Sequence, residues 1–161
     1  MSARDHRYAV RIEWTGNRGA GTATPGGYAR AHVIAAPRKD AIAGSSDPAF
    51  RGDPICWNPE ELLVASLSAC HQLWYLSLCA AAGVVVTAYT DAATGVMREE
   101  ADGAGAFAGV TLYPRVTIAA GSDADAAAAL HARAHEMCFV ARSVNFPVGC
   151  KPTIVVGDSV C

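Results

Sequence analysis

The sequence predicts an α+β fold, two long central helices packed on antiparallel sheet, with the element order βββ-α-ββ-α-β. Three observations carry this. Apolar and polar residues alternate near the N-terminus, a long apolar stretch opens on a helix cap at Asn58, and a second capped run begins at Ser122. At 161 residues the chain reads as one domain, long enough to bury roughly two thirds of its unfolded surface.

Tyr8, Val10, Ile12 and Trp14 alternate with Ala9, Arg11 and Glu13, the period of a half-buried strand. TGNRGAG (15–21) is a turn, and a second strand is expected around Thr22 to Ala36. Pro37 to Trp57 carries Gly, Pro, Ser and Asp throughout and reads as a surface loop, of a length that often serves function. Asn58 suits an N-cap, Pro59 the first helical position, and Glu60 and Glu61 the positive end of the helix dipole. That helix is expected to run to about Ala82 and stop at Gly83. Its apolar residues surround the axis, so both sides are expected to be buried.

Val84 to Met97 and Phe107 to Ile118 read as two strands joined near Asp102–Gly105. Val110, Leu112, Val116 and Ile118 share one face, and Pro114 on that face suggests an edge strand or a bulge. Ser122 and Asp123 open the second helix, expected through about Arg142, with Ala127, Leu130, Ala134, Met137, Cys138 and Ala141 as its apolar face. Lys151 to Gly157 is the final strand. A central helix apolar all round needs more cover than one small sheet gives, which predicts a homodimer.

The composition is 52% hydrophobic and 17% charged, that of a globular chain. A formal net charge of −2, with no basic cluster, argues against nucleic acid as a partner. Leu62 to Val86 holds 25 residues without a formal charge, long enough for a bilayer. Ser66, Ser68, His71, Gln72 and Ser77 interrupt it, neither end has a Lys/Arg flank, and a buried core helix is expected instead of a membrane span. MSARDHRYAVRIEW has no apolar stretch of the signal-peptide kind, which places the chain in the cytoplasm. Six cysteines in that compartment (56, 70, 79, 138, 150, 161) point to catalytic, metal-binding or buried thiols in preference to disulfides. No CxxC pair occurs, and no Gly-rich phosphate loop, so no cofactor is expected.

Cys70 sits mid-helix and Cys138 late in the second helix, and a buried thiol is by default a small hydrophobe. The context of Cys70 argues for more. His71 and Gln72 follow it, polar groups that cost free energy in a core unless they line a cavity or find partners. Two cysteines on facing helices could also reach disulfide distance.

NPEELLVASLSAC (58–70), a Gly-bounded helix end and HEMCFVARSVNFPVGCKPT (135–153) resemble the family of osmotically inducible protein C and the organic hydroperoxide resistance proteins. The resemblance covers nearly the whole chain, and its most specific parts are NPEELL with a cysteine ten positions after the first glutamate and the second cysteine near the end of the second helix. It implies an intertwined homodimer and a cysteine-based peroxidase acting on organic hydroperoxides or hydrogen peroxide. By position, Cys70 resembles the peroxidatic cysteine and Cys138 the resolving one; Arg18 in TGNRG resembles the arginine beside the thiolate, and Glu60 the glutamate that holds it.

The chemistry explains these residue types. Thiolate, not thiol, attacks a peroxide, and a cysteine of pKa about 8.5 is mostly protonated at neutral pH. A nearby guanidinium stabilises the thiolate and donates hydrogen bonds to peroxide oxygens. The resulting sulfenic acid condenses with the second thiol to a disulfide, which a small dithiol of the lipoyl type would reduce by exchange. Ten residues of helix span about 15 Å, so Glu60 and Cys70 cannot adjoin on one straight helix, and a site completed across a dimer interface is expected.

The chain also departs from the family pattern. An apolar residue after the first cysteine and often proline after the second are expected; here they are His71 and Phe139, which with Trp74 and Arg51 are candidate pocket residues. Arg51, in the long loop, competes with Arg18 for the place beside the thiolate. His131, His135 and Cys138 fall at i, i+4, i+7, with Cys70 and His71 opposite, a spacing compatible with zinc; solvated histidines are the plainer reading. Cys150 and Cys161 read as exposed thiols, and Trp14, Trp57 and Trp74 as core or pocket wall.

Overall fold

The computed structural model describes residues 4–157, so Cys161 lies outside the described residues. The chain divides into two compact units, Met1–Leu62 and Leu63–Cys161.

In the N-terminal unit, β1 (Arg11–Trp14), β2 (His32–Ala35) and β3 (Ile42–Gly44) form an antiparallel sheet in that order. The predicted second strand shrinks to four residues, because turns occupy the Gly-rich stretch before it. The third strand lies within the segment read as loop, which also holds a single 3-10 turn at Pro48–Phe50. β1 is exposed along its length, contrary to the half-buried strand that its alternation predicts. Ile12, Ile34 and Ile42 share one register row, yet Ile12 and Ile42 stay exposed, as do Trp14 and Trp57.

Helix α1 (Pro59–Ala81) starts on a reciprocal cap: Asn58 Oδ1 accepts from the Glu61 N–H at 2.8 Å, and the Asn58 N–H donates to Glu61 Oε2 at 3.2 Å. It ends as predicted. Gly83 takes a left-handed φ of 74°, and the Val84 N–H donates to the Cys79 carbonyl at 2.9 Å. Only one side is buried, through Leu67, His71, Tyr75 and Cys79 at every fourth position. The opposite side, Ala65, Ala69, Leu73 and Ser77, is exposed, and Leu73 keeps 69% of its surface in contact with solvent. The expectation of burial on both sides therefore fails within one chain. By length and composition α1 could cross a membrane, but Leu67, Tyr75 and Cys79 pack into the protein's own core.

The two strands expected after α1 are each broken in two. β4 (Val86–Asp91) and β5 (Thr94–Glu99) run back against β6 (Gly105–Leu112) and β7 (Pro114–Ile118), so a long hairpin divides between two sheets. The break is built from Asp91, whose Oδ1 accepts from the Tyr113 N–H at 2.7 Å, and from Pro114, which has no N–H to give. Pro114 opens β7, the middle strand of its sheet, so it marks neither an edge nor a bulge. Val110, Leu112, Pro114, Val116 and Ile118 all face inward, as the alternation predicts. β8 (Val148–Cys150) adds parallel to β6, and β9 (Thr153–Val156) adds parallel to β7.

Helix α2 (Ala124–Met137) is capped by Asp123, which accepts from the Ala126 N–H at 2.9 Å. It stops four residues before Ala141, short of the predicted Arg142, because Cys138 turns to an extended conformation (ψ 109°) and a 3-10 turn follows at Ala141–Ser143. Its buried face is Ala127, His131 and Ala134.

Candidate functional site

Both candidate redox cysteines lie in the C-terminal unit, and the fold brings them together. Cys70 occupies the fourth turn of α1 and is half-buried; Cys138 caps α2 and is 1% exposed. Cys70 is among the groups that act on the Cys138 thiol, so the two cysteines are near neighbours. Because α2 ends at Cys138, the Ala141 N–H turns back and donates to Cys138 Sγ at 3.4 Å, fixing the sulfur where the helix breaks. Burial, reinforced by Cys70 beside it, pushes the Cys138 thiol up to about 11. Cys138 thus keeps its proton at neutral pH, and Cys70 is the more accessible of the two.

Trp74, one turn beyond Cys70, meets Phe139, next to Cys138, edge to face with ring centres 5.5 Å apart. Phe139 is 66% exposed. The two rings, from residues that the sequence marks as pocket candidates, thus form an apolar contact between the neighbours of Cys70 and Cys138 in the chain.

His71 points into the core. Its Nε2 lies 2.9 Å from His131 Nδ1, with the two rings within 6° of parallel. Tyr75 stacks on the other side of His131 at 3.8 Å, and the Tyr75 hydroxyl donates to the Ala127 carbonyl at 3.1 Å. Small residues at Ala127 and Ala134 leave room for the imidazole between them, so His131 is buried and not solvated. Burial, reinforced by His71 beside it, lowers the His131 pKa to about 4. Burial also lowers that of His71, reinforced by His135 and opposed by Asp91. Both rings are therefore neutral at neutral pH.

Cys150 is the member of this cluster that the sequence does not reveal. It is half-buried on β8, not an exposed thiol, with Sγ 3.7 Å from His71 Nε2 and 3.9 Å from His131 Nδ1. Among the described residues, this trio is the group of three possible metal ligands that converges; His135 and Cys138, the spacing-based partners of His131, do not join it. Burial raises the Cys150 thiol to about 11, with the Asp91 charge adding to the effect.

Arg18 and Arg51 belong to the N-terminal unit. There both line one cleft of about 450 Å³ together with Arg30, Tyr28, Ser45 and Asp53. Arg30 is engaged, donating to the carbonyls of Tyr28 and Pro25 at 2.8 and 2.9 Å. Arg18 and Arg51 are exposed, and Arg51 holds a left-handed φ of 67°. Glu60, in the first turn of α1, forms no ion pair with Arg18; among the described residues the pairs are Arg11–Glu13 and Arg133–Glu136.

The buried thiols have a pH consequence. Cys138 has a folded pKa above its unfolded one, so ionisation favours the unfolded chain. Its contribution to stability is complete below about pH 9 and is lost as pH rises through about 11. Tyr75 and Tyr89, also raised by burial, act in the same direction. The thermal midpoint of the reduced protein should be flat between about pH 7 and 8.5 and fall steadily above that range, with a smaller fall in Cys138→Ala. A midpoint that rises across the alkaline range would contradict this site electrostatics.

The OsmC-like protein family model matches residues 52–152. No curated protein matches the chain. Among solved structures, an OsmC-like protein of unknown function from Vibrio cholerae is 29% identical, with a TM-score of 0.81 over 92% of this chain and all of that one. An OsmC-like protein from Mycoplasma pneumoniae aligns with a TM-score of 0.72 at 12% identity, over 94% of this chain and 99% of its own. An organic hydroperoxide resistance protein from Legionella pneumophila aligns with a TM-score of 0.66 at 17% identity, over 94% of this chain and all of its own. The fold is that of these proteins, and with the family model spanning more than half of its length the chain belongs to the OsmC-like family.

Proposed function

We propose that the protein is a thiol-dependent peroxidase of the cytoplasm that reduces organic hydroperoxides through Cys70 and Cys138 as part of a stress response. The observation that carries this reading is the nearness of a half-buried cysteine to a fully buried one that keeps its proton, with the Trp74–Phe139 contact between their neighbours in the chain. The Cys70 thiolate attacks one oxygen of the hydroperoxide and the O–O bond breaks. The products are Cys70 sulfenic acid and, after uptake of one proton, the alcohol. Cys138 then attacks the sulfenic sulfur, water leaves, and a Cys70–Cys138 disulfide remains. A small dithiol of the lipoyl type returns the pair to thiols by exchange. That apolar contact favours alkyl hydroperoxides over hydrogen peroxide.

Arg18 is assigned to the Cys70 thiolate, with Arg51 as its competitor for that place; because Glu60 does not pair with Arg18 within one chain, its orienting role is assigned across the interface of a dimer. A second copy of the chain is assigned to the uncovered side of α1, because Ala65, Ala69 and Leu73 otherwise leave an apolar stripe in water.

With tert-butyl hydroperoxide and dihydrolipoamide, Cys70→Ser is expected to lower turnover by more than about a hundredfold. Cys138→Ser should allow one oxidation and then stall as a sulfenic acid that dimedone traps at Cys70. Unchanged turnover in Cys70→Ser would sink the peroxidase reading. In light scattering the protein is expected at the mass of two chains, and Leu73→Glu at the mass of one. A wild-type monomer at micromolar concentration would remove the dimer from the account.

A further inference from the structure

We infer that His71, His131 and Cys150 form a binding site for a zinc-class divalent ion, distinct in its ligands from the Cys70–Cys138 pair. The inference does not depend on the peroxidase reading. Three elements far apart in sequence, α1, α2 and β8, deliver the ligand atoms His71 Nε2, His131 Nδ1 and Cys150 Sγ to within 4.8 Å of one another. Two imidazoles and a thiol are the donor set that borderline metals such as zinc prefer over magnesium or calcium.

The distances agree with that coordination. A tetrahedral zinc, with nitrogens at about 2.0–2.1 Å and sulfur at about 2.3 Å, holds its nitrogens about 3.3 Å apart and each nitrogen about 3.6 Å from the sulfur. Here the nitrogens are 2.9 Å apart, a hydrogen-bond length, and the sulfur lies 3.7 and 3.9 Å from them. Loading the site therefore means turning the rings and opening the nitrogens by a few tenths of an ångström, with the sulfur already at coordination range.

The protons can be accounted for. One ring proton lies between the two imidazoles, while His71 Nδ1 and His131 Nε2 are buried without partners, so the protein pins neither tautomer. On binding, that proton moves to the far nitrogen of its own ring, and the Cys150 thiol releases its proton to solvent. The Asp91 carboxylate favours a cation here: it is fixed by the Ser68 hydroxyl at 2.5 Å and the Tyr113 N–H at 2.7 Å, and its charge acts on both His71 and Cys150. Three protein ligands leave the fourth position to water or a small anionic ligand.

Cobalt(II) titration reads the site directly, since tetrahedral thiolate ligation gives both visible d–d bands and a near-ultraviolet sulfur-to-cobalt band. Tag-free protein carrying Cys70→Ser and Cys138→Ser, which removes the redox pair as a rival ligand, is expected to bind one ion with both features. Adding Cys150→Ser should abolish the charge-transfer band and weaken binding by at least about tenfold. His135→Ala should leave the spectrum unchanged, and zinc should compete the cobalt out and raise the thermal midpoint. Circular dichroism checks that each variant is folded, and His131→Gln gives a second ligand loss should Cys150→Ser misfold. A spectrum without the sulfur band, or one that survives in folded Cys150→Ser, would overturn the site and leave the trio a hydrogen-bonded cluster.

Discussion

The packing of Tyr75 and His71 of α1 around His131 of α2 is the contact on which the site depends. Tyr75 stacks on His131 and donates to the Ala127 carbonyl, while His71 meets the same imidazole from one turn earlier. Both residues lie on the buried side of α1, and His131 on the buried face of α2. Cys138, seven residues beyond His131, comes near Cys70 where α2 ends. The ring stack joins the two helices across their buried faces. Alanine at 127 and 134 makes it possible, because any larger side chain there would occupy the space of the imidazole.

Where α2 stops matters as much as how it docks. A helix continued to Arg142 would leave the residue at 138 hydrogen-bonded within the helix, its sulfur free to turn away. The break converts Cys138 into a cap whose thiol accepts from the Ala141 N–H and lies near Cys70. Desolvation then gives the two sulfurs unequal parts, the deeper one holding a proton and the shallower one open to substrate. Chemistry that needs a nucleophile and a resolving partner is served by such an asymmetry.

Much of this was legible in the sequence, where the signals were local. The Asn58 cap, the Gly83 stop, the Asp123 cap and the inward row from Val110 to Ile118 all rest on near neighbours, and all are present. The failures have tertiary causes. The strand breaks at Ala92–Ala93 and Tyr113 come from Asp91 reaching across the hairpin to the Tyr113 N–H, which no alternation pattern encodes. Cys150 has no spacing relation to His71 or His131, because a parallel strand pairing of β8 with β6 brings it there. The polarity of His131 suggests solvent, whereas its place in the i, i+4, i+7 series of Ala127, His131 and Ala134 is the signal for burial. The half-buried reading of β1 failed because alternation reports which face is apolar and not what covers it.

The reduced protein is treated with a single equivalent of an alkyl hydroperoxide and digested without reductant, and the cross-linked peptides are mapped by mass spectrometry. The account predicts one dominant linkage, between the peptide containing Cys70 and the peptide containing Cys138. A linkage of either sulfur to Cys150 or Cys79 instead, or no linkage while the hydroperoxide is consumed, would contradict it.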